Sequence, residues 1–133
     1  PLSDVRVRQA LNYATDADAL VKSVLDGNGR RMDGPFTPHM FGFDPSVKGY
    51  GPDPAKARRL LAEAGYPQGF ETELWTDTGF AEQTEAVANS LAAIGIRMKL
   101  RTLERAAYFT QLYGRPMAPV NEPTIDSTLA HTP

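Results

Sequence analysis

Cysteine is absent from all 133 residues, and histidine occurs only as His39 and His131. The first absence excludes disulfides and thiolate metal centres. The second leaves no His-Glu-x-x-His pair or comparable motif, so no metal site is assigned. Long apolar runs are missing too: nowhere do 18 apolar residues follow one another, the length a membrane-crossing helix needs. A formal net charge of only −2 leaves no concentrated basic surface for nucleic acid or an anionic membrane. No charged-then-apolar leader of the secretory type opens the sequence.

Catalytic patterns are equally scarce. Ser3, Ser23, Ser46, Ser90 and Ser127 all lie outside a Gly-x-Ser-x-Gly setting. Gly27-Asn28-Gly29 is followed by no Lys-Ser/Thr pair, and it closes a helix rather than opening one, so it is not a phosphate loop. The close carboxylates Asp16/Asp18 and Glu71/Glu73 have plainer roles, in helix capping and on the wet face of a strand. No catalytic residue and no cofactor is assigned, and the chain is not expected to be an enzyme.

What is present is a regular order of short elements. Val7, Ala10, Leu11 and Ala14 recur at helical spacing, with Arg6, Arg8, Gln9 and Asn12 facing elsewhere. Thr15 or Asp16 caps a second helix with a stripe of Ala17, Leu20, Val21, Val24 and Leu25, ended by Asp26-Gly27-Asn28-Gly29. Asp53-Pro54 opens a third helix, burying Ala57, Leu60, Leu61 and Ala64 and leaving Lys56, Arg58 and Arg59 as a solvated face. Phe70–Thr76 alternates like a strand, 81–93 reads as a helix, and Ile96–Arg101 alternates again, with Ile96, Met98 and Leu100 inward. Strand, helix and strand most simply make a parallel crossover. Glu71 and Glu73 then share a wet face with Arg97, Lys99 and Arg101, where opposite charges can pair across neighbouring strands. A last short helix spans 106–113. The fold class is α/β, in two layers, with helices on one side of a small mixed or parallel sheet.

Between the second and third helices runs a loop from Arg30 to Pro52, rich in glycine and proline. A connection this long is usually functional or disordered. Phe36, Met40, Phe41, Phe43 and Tyr50 make it too apolar for a disordered linker, so it is expected to be ordered and packed. The competing reading is that these aromatics plug the core beneath it.

As strings of residues, several of these segments resemble the family 5 extracellular solute-binding proteins, the oligopeptide, dipeptide and nickel receptors of ABC importers. The resemblance lies in Leu2-Ser3-Asp4-Val5-Arg6-Val7-Arg8-Gln9-Ala10-Leu11 through Asp16-Ala17-Asp18-Ala19-Leu20-Val21, and in Gly34-Pro35 and Gly42-Phe43-Asp44-Pro45. It continues in Asp53-Pro54-Ala55-Lys56-Ala57-Arg58-Arg59-Leu60-Leu61-Ala62-Glu63-Ala64-Gly65-Tyr66-Pro67 and in Leu91-Ala92-Ala93-Ile94-Gly95-Ile96. It implies that residues 1–113 are part of the C-terminal lobe of a two-lobed, periplasmic-binding-protein-like (class II) receptor. The signal peptide and the first lobe are then expected to lie outside this chain, which reads as a lobe fragment.

The same resemblance implies import of a peptide or other small solute, delivery to membrane permease subunits of an ABC system, and a periplasmic or surface-anchored location. Pro35, Phe36, His39, Met40 and Phe41 are the candidate ligand-binding residues, since the family places the counterpart of this loop near the ligand. From residue 114 the sequence departs from the family pattern. Four prolines after position 115 disfavour the central strand expected there, and an open edge or groove beside Ile96–Leu103 is the expected consequence. The tail is then expected to lie extended across the lobe or to reach into a second copy, with Met117, Val120, Ile125 and Leu129 as anchors. The alternative function is a stand-alone interaction or dimerisation domain, joined through the tail or the exposed sheet edge.

Overall fold

A computed structural model describes residues 1–114 and 124–126. Four helix or turn starts are set by aspartates. Asp4 accepts from the Arg6 amide at 2.8 Å and opens α1 (Val5–Ala14); Asp16 accepts from Ala19 at 2.9 Å and opens α2 (Ala17–Val24). Asp53 accepts from Lys56 at 2.9 Å and opens α3 (Pro54–Glu63), with Pro54 in the first turn. Asp77 accepts from Gly79 at 2.6 Å and caps the short 3-10 turn that leads into α4 (Ala81–Ala92). Each carboxylate satisfies an amide that the first turn leaves without a helical partner.

Strands β1 (Phe70–Asp77) and β2 (Ile96–Leu103) pair in parallel from Phe70 opposite Ile96 to Asp77 opposite Leu103, with α4 as the crossover. Helix α5 (Arg105–Gly114) follows β2 and contacts β1. One face of the sheet carries the core. Val7, Ala10 and Ala14 of α1, Ala57 and Leu61 of α3, Leu91 and Ile94 at the end of α4, and Ile96 of β2 form one buried cluster. Ala10 and Ala57 are wholly buried, and their small side chains let α1 and α3 pack closely. The second face is wet, as the alternation implies: Arg97 meets Glu71 at 3.1 Å and Arg101 meets Glu73 at 2.9 Å. Glu73 also accepts from the Trp75 indole at 3.1 Å, and with Arg101 beside it its carboxyl is held below the usual range.

Three expectations need correction. Leu100 is not buried in the core; although it keeps the parity of Ile96 and Met98 it is exposed, because burial is confined to the first half of β2. The basic residues of α3 are not all solvated: half-buried Lys56 donates through Nζ to the Tyr13 hydroxyl at 2.6 Å, whereas Arg58 and Arg59 stay exposed. Finally, the sequence after 114 does supply a strand. Segment β3 (Thr124–Asp126) pairs in parallel with β1, giving the order β2-β1-β3. It holds no proline and sits at an edge, where flanking prolines are tolerated. The outer edge of β2 is unpaired among the described residues. Met117, Val120 and Leu129 lie outside the described residues.

The parallel pair is entered through two glycines. Gly69 and Gly95, immediately before β1 and β2, have φ of 74° and 93°. A Cβ on Gly69 would lie 1.9 Å from the Gly95 carbonyl oxygen, a clash with backbone that no rotamer relieves. Gly69→Ala should therefore lower stability by about 3 kcal/mol or more, adding overpacking to left-handed strain. Gly65, with φ of 91° and no atom within 4 Å of the place a methyl group would take, supplies the control. Gly65→Ala should cost only the strain, about 1–2 kcal/mol, in urea unfolding. Equal losses for the two variants would contradict the close approach.

Candidate functional site

The Arg30–Pro52 loop is held at both feet and folded upon itself between them. At the first foot, Arg31 Nη2 lies 2.6 Å from Asp33 Oδ1 and Nη1 lies 3.5 Å from Asp18 Oδ2 on α2. The Gly49 backbone lies close against Asp33, which closes the start of the loop onto its end. At the second foot the Tyr50 ring meets Tyr13 edge-on, with centroids 5.0 Å apart. The Asp53 amide donates to the Tyr13 carbonyl at 2.7 Å, and Lys56 Nζ lies 4.1 Å from the centre of the Tyr13 ring. Attraction of the ammonium to the ring adds to the hydrogen bond it gives the hydroxyl.

Inside the loop, successive turns replace secondary structure. The Met40 amide donates to the Thr37 carbonyl at 2.9 Å and Phe43 to Met40 at 3.2 Å, with Gly42 at φ 89° stacked beside the Phe36 ring. Asp44 accepts from the Ser46 amide at 2.8 Å, a local aspartate turn. These turns shape an open concavity of about 500 Å³ between 30 and 48, lined both by apolar Met32, Phe36, Phe43 and Val47 and by charged Arg30, Arg31, Asp33, Asp44 and Lys48.

The loop is ordered by these contacts, yet it is not packed on the core as expected. Phe36, Met40, Phe43 and Tyr50 are each exposed by about two-fifths to one-half, and Phe41 is fully exposed. No loop aromatic joins the buried cluster, which removes the core-plug reading. The five candidate residues divide. Pro35 and Phe36 line the concavity, whereas His39, Met40 and Phe41 form the exposed tip beside it. Sequence reasoning passed over Arg30, Asp33 and Lys48, which also line the concavity; the alternation of charge in Arg31-Met32-Asp33 was the available signal.

A second polar group lies where β1 ends. The Asp77 carboxylate is buried, and Arg105 at the start of α5 lies 3.6 Å from it with its guanidinium mostly exposed. The Thr76 and Thr84 hydroxyls, also buried, are 2.9 Å apart and tie β1 to α4. Among the described residues no cluster of histidine and acidic side chains is arranged to hold a metal ion. No helix among them is long and apolar enough to cross a membrane.

Hydrogen bonds from Arg31 hold the Asp33 carboxyl below its usual range, with the Gly49 backbone beside it. Because the folded value is depressed, the clasp stabilises the loop above the unfolded carboxylate pKa and is lost as pH falls through the folded one. In an NMR titration, the Asp33 carboxyl and the Gly49 amide should move together, with a midpoint below about 3.9. A midpoint at or above that value would remove the clasp.

Comparison with known proteins fits this architecture. The family model for bacterial extracellular solute-binding proteins, family 5 Middle, matches residues 1–120. The heme-binding protein A of Haemophilus influenzae is 37% identical over 115 residues, covering 81% of this chain and 21% of that protein. The dipeptide-binding protein of Escherichia coli is 36% identical over 115 residues, covering 81% and 22%. Among solved structures, the ABC transporter-associated periplasmic binding protein DppA from Helicobacter pylori, in complex with the peptide STSA, superimposes with a TM-score of 0.79. Its identity is 34%, over 82% of this chain and 22% of that one. The chain thus spans about a fifth of the length of the curated relatives it matches. With the class II binding-protein fold and the family's segments in order, the chain belongs to the family 5 bacterial extracellular solute-binding proteins.

Proposed function

We propose that residues 1–113 supply part of the C-terminal lobe of a receptor that captures a peptide or similar small solute for an ABC importer. The receptor works outside the cytoplasmic membrane, in the periplasm or anchored at the cell surface, and passes its cargo to permease subunits. It binds and releases without making or breaking covalent bonds.

The observation that carries this reading is the likeness, at a TM-score of 0.79, to a relative solved with a peptide bound. The loop supports it from the physical side. Apolar side chains that the fold holds in place yet leaves uncovered need a surface to meet, and contiguous exposed apolar area marks binding sites. In a two-lobed receptor that surface arises on closure. Pro35, Phe36, His39, Met40 and Phe41 face the cleft, and the closed state is selected because it buries them against solute and the opposite lobe.

Two outcomes follow. The 133-residue chain alone should bind di- to pentapeptides weakly, because much of the contact area belongs to the opposite wall of the cleft. A submicromolar dissociation constant in calorimetry would contradict this. In the full-length receptor, Phe41→Ala should weaken solute binding by roughly tenfold, the effect of about 1.4 kcal/mol, while leaving the melting temperature nearly unchanged. An unchanged affinity with a collapsed melting point would make Phe41 a structural residue.

A further inference from the structure

We propose that Asn28, at the join between α2 and the Arg30–Pro52 loop, is a site of spontaneous deamidation, converted to aspartate and isoaspartate through a cyclic imide formed with the Gly29 nitrogen. The change places a new carboxylate, and in the isoaspartyl form an extra main-chain methylene, just before the clasp that Arg31 makes.

Ring closure needs a following residue without a side chain, a carboxamide free to turn, an uncommitted backbone nitrogen and a backbone outside a helix. Asn28 and Gly29 meet all of these. Both are exposed and lie beyond the end of α2. The Asn28 backbone amide is fixed to the Leu25 carbonyl at 2.7 Å, but its side chain makes no hydrogen bond among the described residues. The Gly29 amide likewise donates to no acceptor among them.

The fold shields the comparable positions. Asn12 donates through Nδ2 to the Arg8 carbonyl at 2.9 Å and is followed by Tyr13 inside α1. Asn89 and Ser90 lie within α4, where backbone amides are committed to the helix. In Asp26-Gly27 the attacking nitrogen is taken, since the Gly27 amide donates to the Val21 carbonyl at 2.9 Å. In Asp33-Gly34 the carboxylate is held by Arg31 at 2.6 Å and must gain a proton before it can lose water. Asn121 lies outside the described residues.

The chemistry needs only water. Base takes the proton from the Gly29 nitrogen, which attacks Asn28 Cγ; the Cγ–Nδ2 bond breaks and ammonia leaves, carrying a proton in place of the one removed. Water then adds to either imide carbonyl, its hydroxyl to carbon and its proton to nitrogen. Opening at Cγ restores the ordinary chain and gives aspartate, whereas opening at the Asn28 carbonyl carbon routes the chain through the side chain and gives isoaspartate. Gly29 is seated closely at this join, because a Cβ there would lie 3.1 Å from Leu25 Cδ1 and 3.6 Å from Val21. The longer isoaspartyl chain therefore displaces the entry to the loop, where Arg31 bridges Asp33 and Asp18.

The test ages the folded 133-residue chain at mildly alkaline and mildly acidic pH and locates the acidic products by peptide mapping, with isoaspartyl methyltransferase as the probe for isoaspartate. Asn28 should convert faster at the higher pH, and Asn12 and Asn89 should lag by at least about tenfold, since each must wait for its helix to open. Asn28→Gln should remove the early acidic species while leaving the amide spectrum elsewhere unchanged. Conversion at Asn12 or Asn89 as fast as at Asn28, or acidic species that persist in Asn28→Gln, would overturn the site. In the purified isoaspartyl form, the Arg31 and Asp33 amides should shift; if they stay in place, the effect on the clasp is overturned.

Discussion

The approach of Gly69 to Gly95 is the constraint on which the rest of the arrangement depends. Their backbones touch where both chains turn into the sheet, so no side chain can stand between them. That contact aligns Phe70 with Ile96 and thereby every later pair of the ladder. Glu71 then falls opposite Arg97, placing one ion pair on the wet face, and Ile96 falls into the cluster under α1 and α3. A slip by one residue would put Arg97 into that cluster and Ile96 into water. The two glycines therefore fix which face of the sheet is core.

On that base the loop is carried as a separate, locally braced unit. Its feet reach α2 through Arg31 and Asp18, and α1 and α3 through Tyr50, Tyr13 and Lys56. Bracing at both ends lowers the entropy lost when a ligand settles against it, which is the advantage of a preorganised surface. The aromatic tip remains uncovered, and in a receptor that closes on its cargo this is where new burial is available. On the proposed reading, stability and binding fall to different residues. Leu61 and Ile96 hold the lobe together, whereas Phe41 contributes no buried area to it.

Much of this was legible from local chemistry. Asp16 and Asp53 marked helix starts because capping is decided within four residues, and the alternation of Ile96–Arg101 marked a strand with charged residues outward. The pairing of Glu71 and Glu73 with arginines followed from a single assumption, that a strand–helix–strand unit makes neighbours of its strands. What stayed hidden depended on distant parts of the chain. Leu100 obeys the alternation, but nothing local tells how far along β2 burial extends. Lys56 finds Tyr13 across 43 positions, and Asp77 finds Arg105 only after β2 has returned beside β1. The loop's apolar composition announced order, yet composition does not distinguish a face turned to the core from one turned outward. Of the candidate residues, Pro35 and Phe36 lie on the concavity; that Arg30, Asp33 and Lys48 line it too was visible only once the turns had brought them together.

The central claim is that the exposed loop is the lobe's solute-facing surface. Hydrogen exchange on the full-length receptor, free and saturated with a peptide chosen from a di- to pentapeptide panel, tests it most directly. The account predicts slower exchange of the amides between Phe36 and Phe43 on binding, with the amides of β1 and β2 unchanged. Unaltered exchange throughout the loop while the peptide is demonstrably bound would contradict it.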